Sequence, residues 1–548
     1  MGLNRVSVLY DCMRNSRRVD QSCEMKFGLR AGQRHDALVC TRPSLAGLLA
    51  VALLLCGTAG LSADQIPSLT DRIATILDKP AARRAFWGVQ IVDLDSGDRV
   101  YDNGGEKLFV PASNAKLYST ALALERLGPD HQFSTVVVAE SPLQEDGSVA
   151  GNLRLIGGGD PNLSSRVIPF DPKIEFRRDR LAPITQLARQ IAEAGVQQIE
   201  GDIIGDDRRY VWQPYPAGWS LGDAAWSYGA PTSALSFNDN EISVVVRPGA
   251  GATRPARLTI RPNISYYKIR NQTRTAATRT VAQSIGMRRP PDSHTLTLWG
   301  EISIRSPGRE LQLAVDDPAL FTATALKAEL EGLGVTVAGE ARADHSEPGS
   351  LPSLRRMKPR SRPDYPETLA VVASAPLSDG LQAVNKHSVN LHAEMLLREV
   401  GYVARGVGSR QAGVEEMRSF LKTAGLSPWE FFLSDASGLS RHNLVSPSGT
   451  VKLLQHMWGS PNRDVYINSL PTAGVDGTLD WRFSRTSAKG RVRAKTGTLT
   501  HATALAGYIE TASGRNLAFA LFVNNFGVST SYIRKLADQI VVEVVRSE

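Results

Sequence analysis

Apolar and polar positions alternate with a period of two in AFWGVQIVDLD and again in RVYDNG, on either side of the turn DSGD. That pattern predicts two paired strands between Phe86 and Val110. The period then changes. In LYSTALALERLG the apolar residues Leu117, Ala121, Leu124 and Leu127 fall at helical spacing, and Gly128-Pro129 supplies the stop. From about Val136 to Asp344 short strand-like runs dominate (TVVVAE, NLRLIG, ISVVVRP, RLTIRP, TLTLWGEISI), separated by Gly and Pro turns. Two helical patterns interrupt them, ITQLARQIAEAGV and ALFTATALKAELEGLGV. This stretch reads as a mostly-β insertion of one or two subdomains.

A polar, Pro-rich run, SEPGSLPSLRRMKPRSRPDYP, reads as a loop or linker. Helical spacing returns in NLHAEMLLREVG and GVEEMRSFLKTAG. The chain closes with two alternating runs, TALAGYIET and NLAFALFVNN, joined by ASGR, and then TSYIRKLADQIVVEVV, which reads as a core helix. Strand pairs at both ends of the body with helices between them predict an α+β fold, with one antiparallel sheet built from both ends of the chain. No internal repeat and no low-complexity tract is visible.

The beginning of the chain has a different character. LAGLLAVALLL, Leu45 to Leu55, follows basic residues including Arg30, Arg34 and Arg42 and precedes a run of small residues ending near Ala63. That is the layout of a secretory signal peptide with cleavage near Ala63, and the apolar run is short for a membrane span. An uncleaved anchor is the alternative. Lipidation at Cys56 is disfavoured by Leu55 before it, and Met25 is a candidate start codon. All four cysteines (Cys12, Cys23, Cys40, Cys56) lie in this leader, so the body needs no disulfide, no thiol nucleophile and no Cys-based metal site. Of the formal net charge of +8, half belongs to the first 63 residues, with 8 Lys/Arg against 4 Asp/Glu. The rest is an ordinary solvated surface, which gives no reason to expect a nucleic-acid partner.

The chemistry begins at PASNAKLYST. Ser113 precedes Lys116 by three residues at the start of a helix. A hydroxyl there lies near unpaired backbone N–H groups and the positive end of the helix dipole. The spacing puts the Lys116 amine on the same face, and a desolvated lysine can take a serine proton. SxxK alone is cheap: it recurs at Ser265/Lys268, in the strand-like run ISYYKI, and at Ser419/Lys422, inside a helix. The order of motifs is more specific. SVN stands at Ser388-Val389-Asn390, just before a helix, and KTG at Lys495-Thr496-Gly497, just before the final strand pair. SxxK, SxN and KTG in that order form the signature of penicillin-interacting serine acyltransferases.

With NKHSVNLHAEMLLREVG, GGGDPNL, YGAPTSALSFNDN and DASGLSRHNLVSP, the chain resembles peptidase family S13, the D-alanyl-D-alanine carboxypeptidase/endopeptidases of the penicillin-binding protein 4 type. The resemblance covers essentially everything after the leader. It implies a serine β-lactamase/penicillin-binding transpeptidase-like catalytic domain in two parts, 64–138 and 368–548, with the mostly-β region 139–367 inserted and the leader at 1–63. It implies a periplasmic peptidase that removes terminal D-alanine from peptidoglycan stem peptides or cleaves their cross-links, and that β-lactams acylate. Ser113 is then the nucleophile, Lys116 its base and Ser388 a proton relay. Asn390, Lys495, Thr496 and Thr498 bind substrate, with the N–H groups of Ser113 and Thr498 as oxyanion hole. Asp223, Tyr228 and Arg441 fall where the family contacts the free end of a diaminopimelate side chain. Thr500, after KTGTL, stands where relatives carry a longer amide. The middle residue of SVN departs from the common SDN, and Val389 is expected to point away from the chemistry. The resemblance also makes a homodimer and at most peripheral membrane contact reasonable expectations.

No cofactor is expected. GGGDP lacks GxGxxG spacing, KTG is not a P-loop, and the nine histidines form no HExxH pair, so no metal is expected either. Glu394, in HAEMLL, reads as a helix residue rather than a base. Two other readings compete: a serine β-lactamase, which needs a fast deacylating water and has no room for the long insertion, and a non-catalytic cell-wall binding protein that keeps the fold.

Overall fold

The computed structural model describes residues 67–277, 284–290, 293–358 and 364–547. The signal peptide expected before Ala63 lies outside them.

The central layer is a five-stranded sheet, antiparallel throughout. Its strands are β1 (Phe86–Asp93), β2 (Arg99–Asn103), β3 (Val492–Leu499), β4 (Ala502–Glu510) and β5 (Asn516–Asn524), in the spatial order β3-β4-β5-β1-β2. Both ends of the body therefore contribute to one sheet, as the strand patterns predict. β1 lies against β5 from Phe86↔Asn524 to Asp93↔Leu517.

Side-chain alternation along β4 and β5 explains the layers. Leu505, Ile509, Leu517, Phe519, Leu521 and Val523 face a core shared with helices α1 (Leu69–Leu77) and α4 (Thr530–Val545). Ala504, Ala506, Ala518 and Ala520 face the other way, onto helix Pro447–Trp458 and into the core it shares with α2 (Ala115–Leu127) and α3 (Asn390–Arg405). Small residues on that face let the helices pack close to the sheet. Both faces are covered, so these strands read as nearly continuous apolar runs. Helix α2 is central to this packing: every residue from Ala115 to Leu124 is buried, Lys116 included. Its one apolar stripe in the sequence understates how enclosed it is.

A second core draws on residues between Val137 and Leu369 to Val372. Its main sheet is mixed, in the order Ala341–Ser346, Ile203–Val211, Leu153–Ile156, Ser134–Ala139, Glu367–Ala373, and helices Ala182–Glu193 and Pro318–Gly332 pack on it. Two further three-stranded sheets, built around Glu241–Arg247 and Thr295–Ser303, join the same apolar cluster.

Three local expectations differ from the structure. ISYYKI is not a continuous strand: Ser265 lies in a turn and the strand starts at Lys268. The hydroxyls of both Tyr266 and Tyr267 donate to Asp316, so adjacent side chains reach one carboxylate instead of alternating. KTG does not merely precede the last strand pair; it lies within β3, an edge strand whose Arg493, Lys495 and Thr496 mask the alternation. Helices Pro447–Trp458 and Arg463–Ser469 carry too few apolar residues in sequence to stand out, yet the first covers the α2 side of the sheet and the second packs on α2 itself.

Candidate active site

Ser113 sits in a single 3₁₀ turn, Ala112–Asn114, which runs straight into α2. Ala112 is held at φ 47, in the left-handed region. Two glycines let backbone press on both sides of this turn. A Cβ on Gly438 would lie 1.8 Å from the Ala112 carbonyl oxygen, and one on Gly497 would lie 2.6 Å from the Pro111 oxygen and 3.1 Å from the Ser113 nitrogen. Asn114 fixes the second contact, since its Nδ2 donates to the Lys495 carbonyl at 3.0 Å.

Lys116, one turn on, is completely buried and makes three hydrogen bonds. Nζ donates to Ser113 Oγ (3.1 Å), Asn390 Oδ1 (2.6 Å) and the Ser437 carbonyl (2.7 Å). Among the described residues no carboxylate pairs with it directly. Burial holds its pKa down to about 7, against the weaker opposing pull of Asp435 and Glu394.

Lys495 is the second buried cation. Its Nζ donates to Ser388 Oγ and to the Thr496 carbonyl, both at 3.0 Å. Burial first, and the nearby Lys116 charge second, hold it well below the usual lysine range. Ser388 itself stands at φ 63, ψ 40, directly after a π-turn over Ala383–His387. Strained, left-handed backbone at a non-glycine residue is concentrated at functional sites. The turn is braced by Asn385 Nδ2, which donates to Thr120 Oγ1 (3.3 Å) and Ser469 Oγ (2.9 Å), and by an ion pair of Lys386 with Asp476. Val389 packs beside Tyr210, Leu391 and Met395, away from the lysines, as an apolar residue in the middle of this motif requires.

Asn390 opens α3 and links the site to the inserted region: its Nδ2 donates to the Tyr228 carbonyl at 2.7 Å. In the same loop the Tyr228 hydroxyl donates to Asp223 Oδ1 at 3.0 Å. The loop is tied down by Trp219 Nε1 on Asp435 Oδ2 (2.9 Å) and Ser440 Oγ on the Ala217 carbonyl (2.7 Å). Arg441 is anchored separately, with Nη2 donating to the Thr500 carbonyl at 2.8 Å just past β3. On β3 the Thr496 hydroxyl donates to Thr478 Oγ1 (2.8 Å), and Thr498 Oγ1 donates to the Gly497 carbonyl (2.8 Å).

Three residues important to this geometry escaped the sequence reading. Glu394, expected as an ordinary helix residue, is fully buried, and its Oε1 accepts the N–H groups of Ala436 and Ser437, both at 2.9 Å. It thereby sets the Ser437 carbonyl that receives Lys116. Its other oxygen accepts from Arg398, 3.2 Å away. Asn390, Glu394 and Arg398 recur every fourth residue along one face of α3, which is the signal that could have revealed them. Asp435 folds the DASGLS segment by accepting the N–H groups of Gly438 (2.8 Å) and Ser440 (2.6 Å). Arg534, on α4, donates from Nη2 to Thr498 Oγ1 at 2.7 Å.

Among the described residues no cluster of three or more His, Cys, Asp or Glu side chains could hold a metal ion, and no helix is long and apolar enough to cross a membrane. The site can supply a hydroxyl with an amine neutral enough to deprotonate it, a second hydroxyl on a second amine, and backbone N–H groups beside the nucleophile.

Comparison with known proteins places these residues in context. The model of the D-Ala-D-Ala carboxypeptidase 3 (S13) family matches residues 69–546. A D-alanyl-D-alanine carboxypeptidase of Actinomadura sp. (strain R39) is 33% identical over 514 residues, covering 91% of this chain and 88% of its own. D-alanyl-D-alanine carboxypeptidase DacB of Haemophilus influenzae is 25% identical over 443 residues, covering 79% and 84%. The crystal structure of penicillin binding protein 4 (dacB) from H. influenzae superposes with a TM-score of 0.72 at 23% identity, over 86% of this chain and 98% of that one. At that identity the likeness is one of fold.

Proposed function

The chain belongs to the D-Ala-D-Ala carboxypeptidase S13 family of serine peptidases, and from that premise we propose that Ser113 cleaves peptidoglycan stem peptides through an acyl-enzyme, at the bond before a terminal D-alanine and at D-alanyl cross-links. The observation that carries the assignment is the hydrogen bonding of Lys116. Two of its three partners, Asn390 Oδ1 and the Ser437 carbonyl, can only accept. As an ammonium, Lys116 fills all three. As a neutral amine its two remaining protons stay on the two acceptors, and its lone pair falls to the Ser113 hydroxyl. With a pKa of about 7, that form is well populated at neutral pH.

The reaction then runs in two halves. Ser113 Oγ attacks the scissile carbonyl carbon while its proton passes to Lys116. In this reading the oxyanion is held by the N–H groups of Ser113 and Thr498; the close approach of Gly497 to the Ser113 nitrogen supports it. Collapse breaks the C–N bond, and the leaving amine takes its proton through Ser388, whose hydroxyl rests on Lys495. Water repeats the sequence in reverse roles and frees Ser113. Asn390 aligns the substrate amide. Lys495, Thr496 and Thr498 favour a carboxylate next to the leaving nitrogen. The Asp223–Tyr228 pair and Arg441 receive the zwitterionic end of a diamino side chain, which asks for one partner of each sign. Residues 139–367, with a core of their own, act in this reading as an insertion that carries that recognition loop to the site. The reading places the protein in the periplasm, at most peripherally on a membrane, and a homodimer is compatible with it.

The test is intact mass of the protein from Asp64 onward after brief benzylpenicillin treatment, followed by peptide mapping. A persistent adduct on the peptide holding Ser113, together with D-alanine release that Ser113→Ala abolishes, is the expected result. Rapid turnover of the drug without adduct would make the protein a β-lactamase. The buried Glu394 does not favour that outcome, because both of its oxygens are occupied by Ala436, Ser437 and Arg398.

A further inference from the structure

Arg534 lies one turn into α4, and its neighbours Ile533, Leu536 and Ala537 are buried against the sheet. The natural partner for an arginine at this position is Asp538, four residues on. Asp538 is already taken: Arg482 reaches it with Nε at 3.3 Å and with Nη2 in closer contact. Among the described residues Arg534 has no carboxylate partner, and its guanidinium gives a single hydrogen bond, to the hydroxyl of Thr498. Burial first and the Arg482 charge second lower its pKa to about 10, against an opposing pull from the Asp538 charge, so it remains charged at neutral pH. A half-buried cation that gives one hydrogen bond, to a hydroxyl, and has no carboxylate among the described residues within ion-pair distance keeps its other N–H groups open to an anion.

Its position says which anion. Thr498 follows Gly497, which lies against the Ser113 nitrogen. Thr496 and Thr498 share one face of β3, since side chains two apart in a strand do. Lys495, between them, is entirely buried and committed to Ser388 Oγ and the Thr496 carbonyl, so its charge acts from behind those groups. The edge of β3 thus offers hydroxyls, and the cation on the Thr498 hydroxyl is Arg534.

We propose that Arg534 directly binds the carboxylate adjacent to the scissile bond, sharing it with Thr498, and so makes the enzyme select acyl donors with a free carboxylate at that place. This rests on Ser113 being the nucleophile. A guanidinium matches a carboxylate with two parallel N–H groups, which a lysine cannot do.

The experiment compares acylation of Ser113 by benzylpenicillin and by its methyl ester, read as adduct formation over time in wild type, Arg534→Gln and Arg534→Lys. In wild type the acid reacts faster than the ester. In Arg534→Gln, acylation by the acid falls roughly 10- to 100-fold, the range for a charged hydrogen bond, while the ester changes by no more than about twofold, so the preference collapses. Arg534→Lys keeps part of the preference, and gives the same readout should the Gln variant not fold. An unchanged acid-to-ester ratio in both variants, or equal losses on both compounds, overturns the proposal and leaves Arg534 as a structural support of Thr498. Failure of wild type to be acylated by either compound would instead strike at the assignment of Ser113.

Discussion

Asn390→Asp would place a carboxylate where an amide oxygen now lies 2.6 Å from the Lys116 nitrogen. At that separation the attraction between unit charges is about 6 kcal/mol at an effective dielectric near 20. Burying the new carboxylate cancels several kcal/mol of it. What remains raises the Lys116 pKa by about one to three pH units, the usual range for a paired, buried group. Lys116 starts near 7 in the native site. Acylation by benzylpenicillin in wild type should therefore climb with pH through about 7 and level off above it. In the variant the climb should move to between about 8 and 10. At pH 7 the neutral amine, about half of the wild-type population, drops to between roughly a tenth and a thousandth, so acylation slows about 5- to 500-fold. Raising the pH restores most of that loss. The variant also forfeits the Nδ2 bond to the Tyr228 carbonyl, which lowers the plateau without moving the midpoint. Stopped-flow acylation from pH 5 to 10 separates the two effects. A midpoint that stays near 7 in Asn390→Asp, or a wild-type profile flat from pH 6 to 8, would refute Lys116 as the base.

Lys116→Met should abolish acylation, and its stability relative to wild type should depend on pH. The native lysine has a pKa near 7 against 10.5 unfolded, so between those values the unfolded chain binds more protons. Wild type should thus gain on the Met variant as pH rises from 7 to 10, a trend measurable by urea unfolding. Gly438→Ala forces a Cβ to 1.8 Å from the Ala112 carbonyl and sits at φ 85, so it should lower stability by about 2–4 kcal/mol and disorder the Ser113 turn; a thermal midpoint within 1 °C of wild type would contradict the close approach. Tyr228→Phe removes the hydroxyl bond to Asp223. It should cut kcat/KM several-fold for peptides with an amino-acid side-chain end, with little change for a simple diacetylated Lys-D-Ala-D-Ala substrate, and equal losses on both would remove Tyr228 from recognition.

The parts of the site that the sequence reveals are those whose chemistry is local or ordered along the chain. Ser113 and Lys116 meet because i,i+3 spacing on a helix makes them meet. The Ser388/Asn390 pair and Lys495 lie far from Ser113 and from each other along the chain, and only the order of their motifs brings them together on paper. Glu394, Asp435 and Arg534 stayed hidden because each acts through tertiary contacts: a carboxylate accepting two N–H groups from a loop, an aspartate folding its own segment, an arginine whose near partner is taken by another arginine. Only Glu394 leaves a spacing to find, in step with Asn390 and Arg398 along α3; Asp435 and Arg534 leave none. The same holds for the fold. β1, β4 and β5 are read from alternation although both of their faces are buried, whereas β3 was obscured by the charged and hydroxyl residues along it.

The sheet is closed by the two ends of the body, and this governs when the protein first becomes able to act. Val110, three residues before Ser113, donates its N–H to Asn524, 414 residues later. The strand that carries KTG pairs with β4, which pairs in turn with β5, so it too takes its place only when they are made. The intervening region has its own apolar core and can collapse while the remainder is still being synthesised. A nascent chain lacking its last sixty residues can thus hold a folded middle and an exposed serine, yet no competent centre. Bringing the early strands to the late ones across so long a loop is the slow, topologically costly step. With Ser113 as the proposed nucleophile, activity is expected only once β3 to β5 are in place.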